Sequence, residues 1–195
     1  MEKYIGLLAG IVIGSAQLTY LHNTVAKKIR PSVLSWLGWA FLMGTSLLSQ
    51  VVTKGWQWSM TGILCSTIGC FTIALVAFFS RNFSFRRSDL IFLLVGLVCV
   101  GIYLLSSDPW ITTLFAIIAD AALGIPTIHK AIREPATERS PAWLLGVISS
   151  TLALIICLHH DPIYVLFPAY LFFFNGAMFW LTTRHRLVPS HSRQS

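Results

Sequence analysis

One acidic residue, Asp120, stands in the middle of a long apolar run. Placing a carboxyl group near the centre of a bilayer costs about 2.5–3.5 kcal/mol, so such a residue faces a cavity or a polar partner. Two uses are open: binding a proton or a polar solute, or a structural hydrogen bond to Gln17 or Ser15. Asn175, within Phe173-Phe174-Asn175-Gly176, offers an amide with two donors and an acceptor, suited either to a solute or to a neighbouring helix. Gln17 and Thr72 are further polar groups inside apolar runs. Pro126 lies about a turn and a half beyond Asp120, where it either hinges the helix or sets a static kink. Trp36 and Trp39 could stack on a flat solute or anchor a helix at the membrane interface. His159-His160-Asp161 is the one metal-like grouping, but adjacent histidines diverge and a single short loop rarely closes a site, so no metal is expected. No Gly-rich phosphate loop, Ser/His/Asp grouping or His-Glu-x-x-His motif points to an enzyme, and no cofactor is implied.

These residues need helices to hold them. The chain is 55% hydrophobic and 11% charged, with mean hydropathy +0.73, against roughly 25% charged residues in a soluble domain. The fold class expected is all-α, a polytopic membrane protein. Seven apolar runs are read as spans, at about Tyr4–Leu21, Val33–Val51, Ser59–Phe79, Ile91–Leu105, Trp110–Ile128, Ala142–Leu158 and Ile163–Thr182. Pro31, Pro141 and Pro162 stand at helix starts, and Asp108-Pro109 and Asp161-Pro162 mark turns. Trp56, Trp58 and Trp110 are expected at one interface, and Trp36, Trp143 and Trp180 nearer the other. Cys65, Cys70, Cys99 and Cys157 all lie in apolar runs and read as packing residues.

Charge sets the orientation. Of 14 Lys and Arg, only Lys3 and Lys54 fall outside the alternate polar gaps that hold Lys27, Lys28, Arg30, Arg81, Arg86, Arg87, Lys130, Arg133, Arg139, Arg184, Arg186 and Arg193. Cytoplasmic loops carry that excess, so the N-terminus is expected outside and the C-terminus in the cytoplasm, in a plasma or inner membrane. The net charge of +7 thus needs no nucleic acid, and the basic groups are suited to anionic lipid headgroups.

The two ends of the chain are weakly alike. Thr24-Val25-Ala26-Lys27-Lys28-Ile29-Arg30-Pro31 resembles Thr127-Ile128-His129-Lys130-Ala131-Ile132-Arg133-Glu134-Pro135 with one insertion. Counting back from the threonines sets Gln17 opposite Asp120, and counting back from Arg81 and Arg184 sets Thr72 opposite Asn175. The expected organisation is a first three-helix bundle at 1–80, a connector helix at 81–108, a second bundle at 109–183 and a basic tail at 184–195. A single plain connector makes the two triplets parallel, a known transporter design.

This layout, with Ile125-Pro126-Thr127 and the basic loop bearing a proline, resembles the SWEET and PQ-loop superfamily. It is similar too to short bacterial seven-helix proteins with Pro then Ser-Trp-x-x-Trp after helix one, and Asp, Pro-Thr-x-x-Lys and Pro-x-x-Glu around helix five. Here those residues are Pro31, Ser35, Trp36 and Trp39, then Asp120, Pro126, Thr127, Lys130, Pro135 and Glu138. The Pro-Gln dipeptide of the superfamily is absent. Trp-x-x-Trp resembles that of nicotinamide riboside carriers too, but Met43 stands where they have Asn. The resemblance implies a carrier in which Asp120 couples protons and Asn175 lines the cavity. The expected function is alternating-access transport of a small polar organic solute, as uniport or with protons. A non-transporting receptor or assembly factor, as in the KDEL-receptor relatives, is the alternative, and a homo-oligomer is possible in either case.

Overall fold

The apolar runs fold as helices whose ends are set by local turn chemistry. The computed structural model describes residues 2–56, 60–158 and 161–184; Trp58, His159, His160, Arg186, Arg193 and the rest of the basic tail lie outside the described residues. The helices are α1 (Glu2–Val25), α2 (Val33–Lys54), α3 (Thr61–Phe79), α4 (Asp89–Leu105), α5 (Pro109–Arg133), α6 (Ala142–Cys157) and α7 (Ile163–Thr183), with a short 3-10 turn at Pro135–Thr137. The Asp108 side chain caps α5 by accepting from the Trp110 and Ile111 amides at 2.7 and 3.2 Å, and Pro109 starts the first turn without needing a donor. Gly55, at φ 71°, closes α2 in a conformation that favours glycine.

Four helical stretches, Lys3–Val25, Thr61–Phe79, Pro109–Arg133 and Ile163–Thr183, are long and apolar enough to cross a membrane. Helices α4 and α6 are apolar but shorter. Leu, Ile and Phe side chains such as Ile11, Ile68, Phe79, Leu94 and Phe173 are exposed along the outer faces. A water-facing surface would not carry so many, and hydrocarbon accepts them.

Helix α3 packs between α1 and α2, and α7 packs against both α5 and α6. Helix α1 meets α6, and α2 meets α5, which closes a ring in the order α1, α3, α2, α5, α7, α6. Helix α4 joins at the α2–α5 seam. There Leu123 of α5 fills the space beside Gly38 of α2 and Gly96 of α4; a Cβ at Gly96 would stand 2.8 Å from its Cγ. Small residues at such a seam let helices approach closely.

The basic loops meet at one end. The Arg30 amide donates to Thr137 at 2.8 Å, the Ser84 amide to Pro31 at 2.9 Å, and Arg139 Nε to Thr182 at 3.1 Å. Asn82 Nδ2 ties the loop after α1 by donating to the carbonyls of Thr24 and Ile29 at 3.0 and 2.9 Å. Lys27, Arg81, Arg86 and Lys130 therefore share one end of the bundle, as their alternation in sequence predicts.

Candidate functional site

The ring encloses a cavity of about 530 Å³, lined by residues from all seven helices. That volume lies within the range that accommodates small organic ligands. Its lining runs from Gly6, Gln50, Gly62 and Phe167 at one end of the bundle to Gln17, Trp36, Asp120 and Trp143 at its depth. The floor is aromatic. Trp36 meets Tyr20 at 4.4 Å between ring centroids, Trp39 at 5.3 Å and Trp143 at 6.5 Å, and Phe174 closes on Trp39 at 5.8 Å. These separations suit offset and edge-to-face contacts, which hold rings rigidly. Trp36, Trp39 and Trp143 are thus buried between helices, which corrects the expectation that they anchor the bundle at an interface. Trp56, Trp110 and Trp180 are exposed.

Asp120 is 3% exposed and lines the cavity. Its expected partners, Gln17 and Ser15, are not its partners. Tyr170 of α7 donates its hydroxyl to Asp120 Oδ2 at 2.7 Å, and Ser15 turns back to the Ile11 carbonyl at 2.9 Å. Trp39 Nε1 donates to the Asp120 backbone carbonyl at 3.2 Å, pinning α2 to α5 at that level.

Gln17 and Asn175 line the same cavity as Asp120, and a glycine on the neighbouring helix accommodates each. A Cβ at Gly69 would stand 2.5 Å from Gln17 Cγ, and one at Gly146 would stand 2.6 Å from Asn175 Cγ. Gln17 Nε2 reaches Cys70 Sγ at 3.7 Å, while its Oε1 is buried with no partner among the described residues. Asn175 Nδ2 donates to the Leu171 carbonyl at 2.8 Å.

Thr72 does not join them. It is absent from the lining, and its hydroxyl donates to the Ile68 carbonyl at 2.7 Å. Gly62, Ile63, Ser66 and Cys70 form the cavity face of α3, and two residues past Cys70 turn a side chain about 200° away. Pro126 is buried in α5, which continues through it to Arg133. It lies beyond the floor, beside a smaller cleft that also holds Arg30, Arg86, Asp89 and His129.

Below the floor is a cluster that the sequence does not single out as a site. Lys130 Nζ lies 2.5 Å from Glu138 Oε1, Tyr20 donates its hydroxyl to Glu138 Oε2, and Trp143 Nε1 donates to the Glu138 backbone carbonyl at 3.0 Å. Burial pushes the Glu138 carboxyl above the ordinary range, while Lys130 and the Tyr20 hydroxyl pull it back. The cluster joins α1 to the α5–α6 connection and seals that end. Lys130 and Glu138 are visible in sequence as motif positions, but nothing there pairs them with Tyr20 or pairs Asp120 with Tyr170. Among the described residues no group of three His, Cys, Asp or Glu is placed to hold a metal ion.

Comparisons with family models, curated proteins and solved structures give no match.

Proposed function

We propose that the protein is a membrane carrier for a small organic solute, with the central cavity as its binding site and alternating access as its mechanism. The observation that carries this reading is the cavity itself: lined by every helix, reaching one end of the bundle and floored by aromatic rings toward the other. Its contacts support two matching halves. Exchanging α1, α2 and α3 for α5, α6 and α7 maps each helix pairing of the ring onto another. That scheme agrees with a parallel repeat of the SWEET and PQ-loop kind, with α4 as the connector and seven spans in all. Under the positive-inside rule the sealed, basic end faces the cytoplasm, so the cavity is in its outward-facing form.

In this mechanism solute enters from the outer end and settles on the aromatic floor beside Asp120. Parting of the halves then breaks the contacts of Tyr20, Glu138 and Trp143 and opens the inner end. Transport is by uniport or with protons, and in the proton-coupled form Asp120 is the group that exchanges the proton.

The test is thermal unfolding of purified protein against sugars, amino acids, nucleosides and vitamins, followed by uptake into proteoliposomes. A ligand of the folded state raises the unfolding midpoint, and the same compound should then accumulate. Binding without uptake would favour a receptor or assembly factor. An unchanged pH profile of uptake in Asp120→Asn would remove proton coupling.

A further inference from the structure

We infer that the cavity selects an organic monocation with a flat or compact apolar body. The inference rests on the cavity being the solute site and adds the chemical class of the solute. Charge is the first argument. Among the described lining residues there is no Lys, Arg or His, and Asp120 is the one carboxylate. An anionic solute would find no counter-ion there. A buried carboxylate without a cation is costly, and a cationic solute supplies what the protein omits.

The state of the polar atoms is the second argument. Several donors deep in the cavity are engaged: Ser150 Oγ on Gly146, Trp39 Nε1 on the Asp120 carbonyl, and one N–H each of the Asn175 and Gln17 amides on Leu171 and Cys70. The acceptors are open. Gln17 Oε1 has no partner, and Tyr170 engages one Asp120 oxygen while the other receives no hydrogen bond from the described residues. Open acceptors beside the one carboxylate fit a ligand that donates. Trp36 Nε1, beside the Tyr20 hydroxyl, and the second N–H of each amide suit a neutral acceptor elsewhere on the same solute.

The walls are the third argument. Trp36, Trp39, Trp143 and Phe174 present ring faces and edges around the same space. Aromatic faces attract ammonium groups, most strongly where water is excluded. A neutral polyhydroxylated solute would instead leave the Asp120 carboxylate without a counter-ion.

The experiment is a charge series on the full chain in detergent at pH 7.5, by titration calorimetry. Benzylammonium, benzyl alcohol and benzoate share a ring and differ in charge, and the ammonium carries the N–H donors that the open acceptors require. The cation should bind at least tenfold more tightly than either analogue, and Asp120→Asn should bring it to the level of benzyl alcohol. Equal or tighter binding of benzyl alcohol or benzoate overturns the inference, as does no binding of all three at millimolar concentration. Should Asp120→Asn not fold, the series on the native chain decides alone. Uptake of radiolabelled benzylammonium into proteoliposomes, above that into protein-free liposomes, separates the two claims. Cation-selective binding without flux overturns the carrier reading and leaves the cation site. Flux of neutral solutes without preference for the cation does the reverse.

Discussion

Asp120 and Glu138 are both carboxyl groups buried at the helix interfaces, 3% and 0% exposed, and they differ in what surrounds them. Glu138 is answered from within the protein by the Lys130 ammonium on one oxygen and the Tyr20 hydroxyl on the other. Asp120 is answered by one hydroxyl, that of Tyr170, and otherwise borders a cavity. A buried charge that the fold satisfies holds the structure together. One that the fold leaves half satisfied, beside a space of about 530 Å³, is available to a ligand. The same comparison separates the two ends of the molecule, one sealed by paired charge and loop contacts, the other lined by the walls of the cavity.

The largest effect should come from breaking the satisfied pair. Removing one partner of a buried ion pair leaves the other charge uncompensated and costs about 3–5 kcal/mol. Lys130→Met and Glu138→Gln should each lower the thermal midpoint sharply, while the double replacement of both residues by Met recovers most of the loss. If the single variants unfold like the native chain, Lys130 and Glu138 are not the seal described above. The pH dependence sharpens this. Glu138 has a raised value in the folded chain, against about 4.3 for an ordinary glutamate. The folded form therefore holds its proton longer, and the stability linked to that proton is full below about 4.3 and is lost as pH rises through the folded value. Glu138→Gln should flatten that part of the midpoint-against-pH curve.

A middle-sized effect should come from the half-satisfied carboxylate. Tyr170→Phe removes the hydroxyl from Asp120 and leaves the ring that packs 5.9 Å from Phe174. Hydrogen bonds between membrane helices are commonly worth about 0.6 kcal/mol, so the fold should survive with a small loss. Ligand affinity should fall by less than about tenfold, because the carboxyl group loses one neutral hydrogen bond and keeps its place in the cavity lining. A collapse of the fold in this variant would place Asp120 with Glu138 as a structural charge and erase the contrast. Calorimetry with parallel thermal unfolding reads both.

Much of the fold was legible because lipid-facing helices leave a plain record. The apolar runs match the helices to within a few residues; α1 extends to Val25 and α5 to Arg133, beyond the polar residues that mark the apolar boundary. Asp120, Gln17 and Asn175 were legible because a polar group inside an apolar run must find a partner or a cavity. The aromatic floor was not. A tryptophan near a helix end has the same sequence signature in an interface belt as in a core, and only the packing of α1, α2, α6 and α7 decides it. Lys130 was hidden for a similar reason: a basic residue beside a loop reads as an orientation signal until Glu138 is brought within 2.5 Å. Tyr20 and Glu138 lie 118 residues apart, and no local pattern joins them.

The smallest effect tests the register of α3. Counting from the basic residues at the helix ends selected Thr72, whereas the helix turns Cys70 into the cavity. A slip of two residues is harmless in a run of apolar letters and decisive on a helix, since each residue advances about 100°. The Thr72 hydroxyl is already spent on Ile68, so Thr72→Val removes no contact with another helix. Stability should stay within about 0.5 kcal/mol of the native chain, and uptake within about twofold. Cys70→Leu should do the opposite. Cys70 is buried, borders the cavity and accepts from Gln17 Nε2, so a larger side chain there fills cavity space and displaces the amide. Loss of uptake in Thr72→Val with normal uptake in Cys70→Leu would mean that α3 presents its other face to the solute, and the open acceptor on Gln17 would then lie outside the binding site.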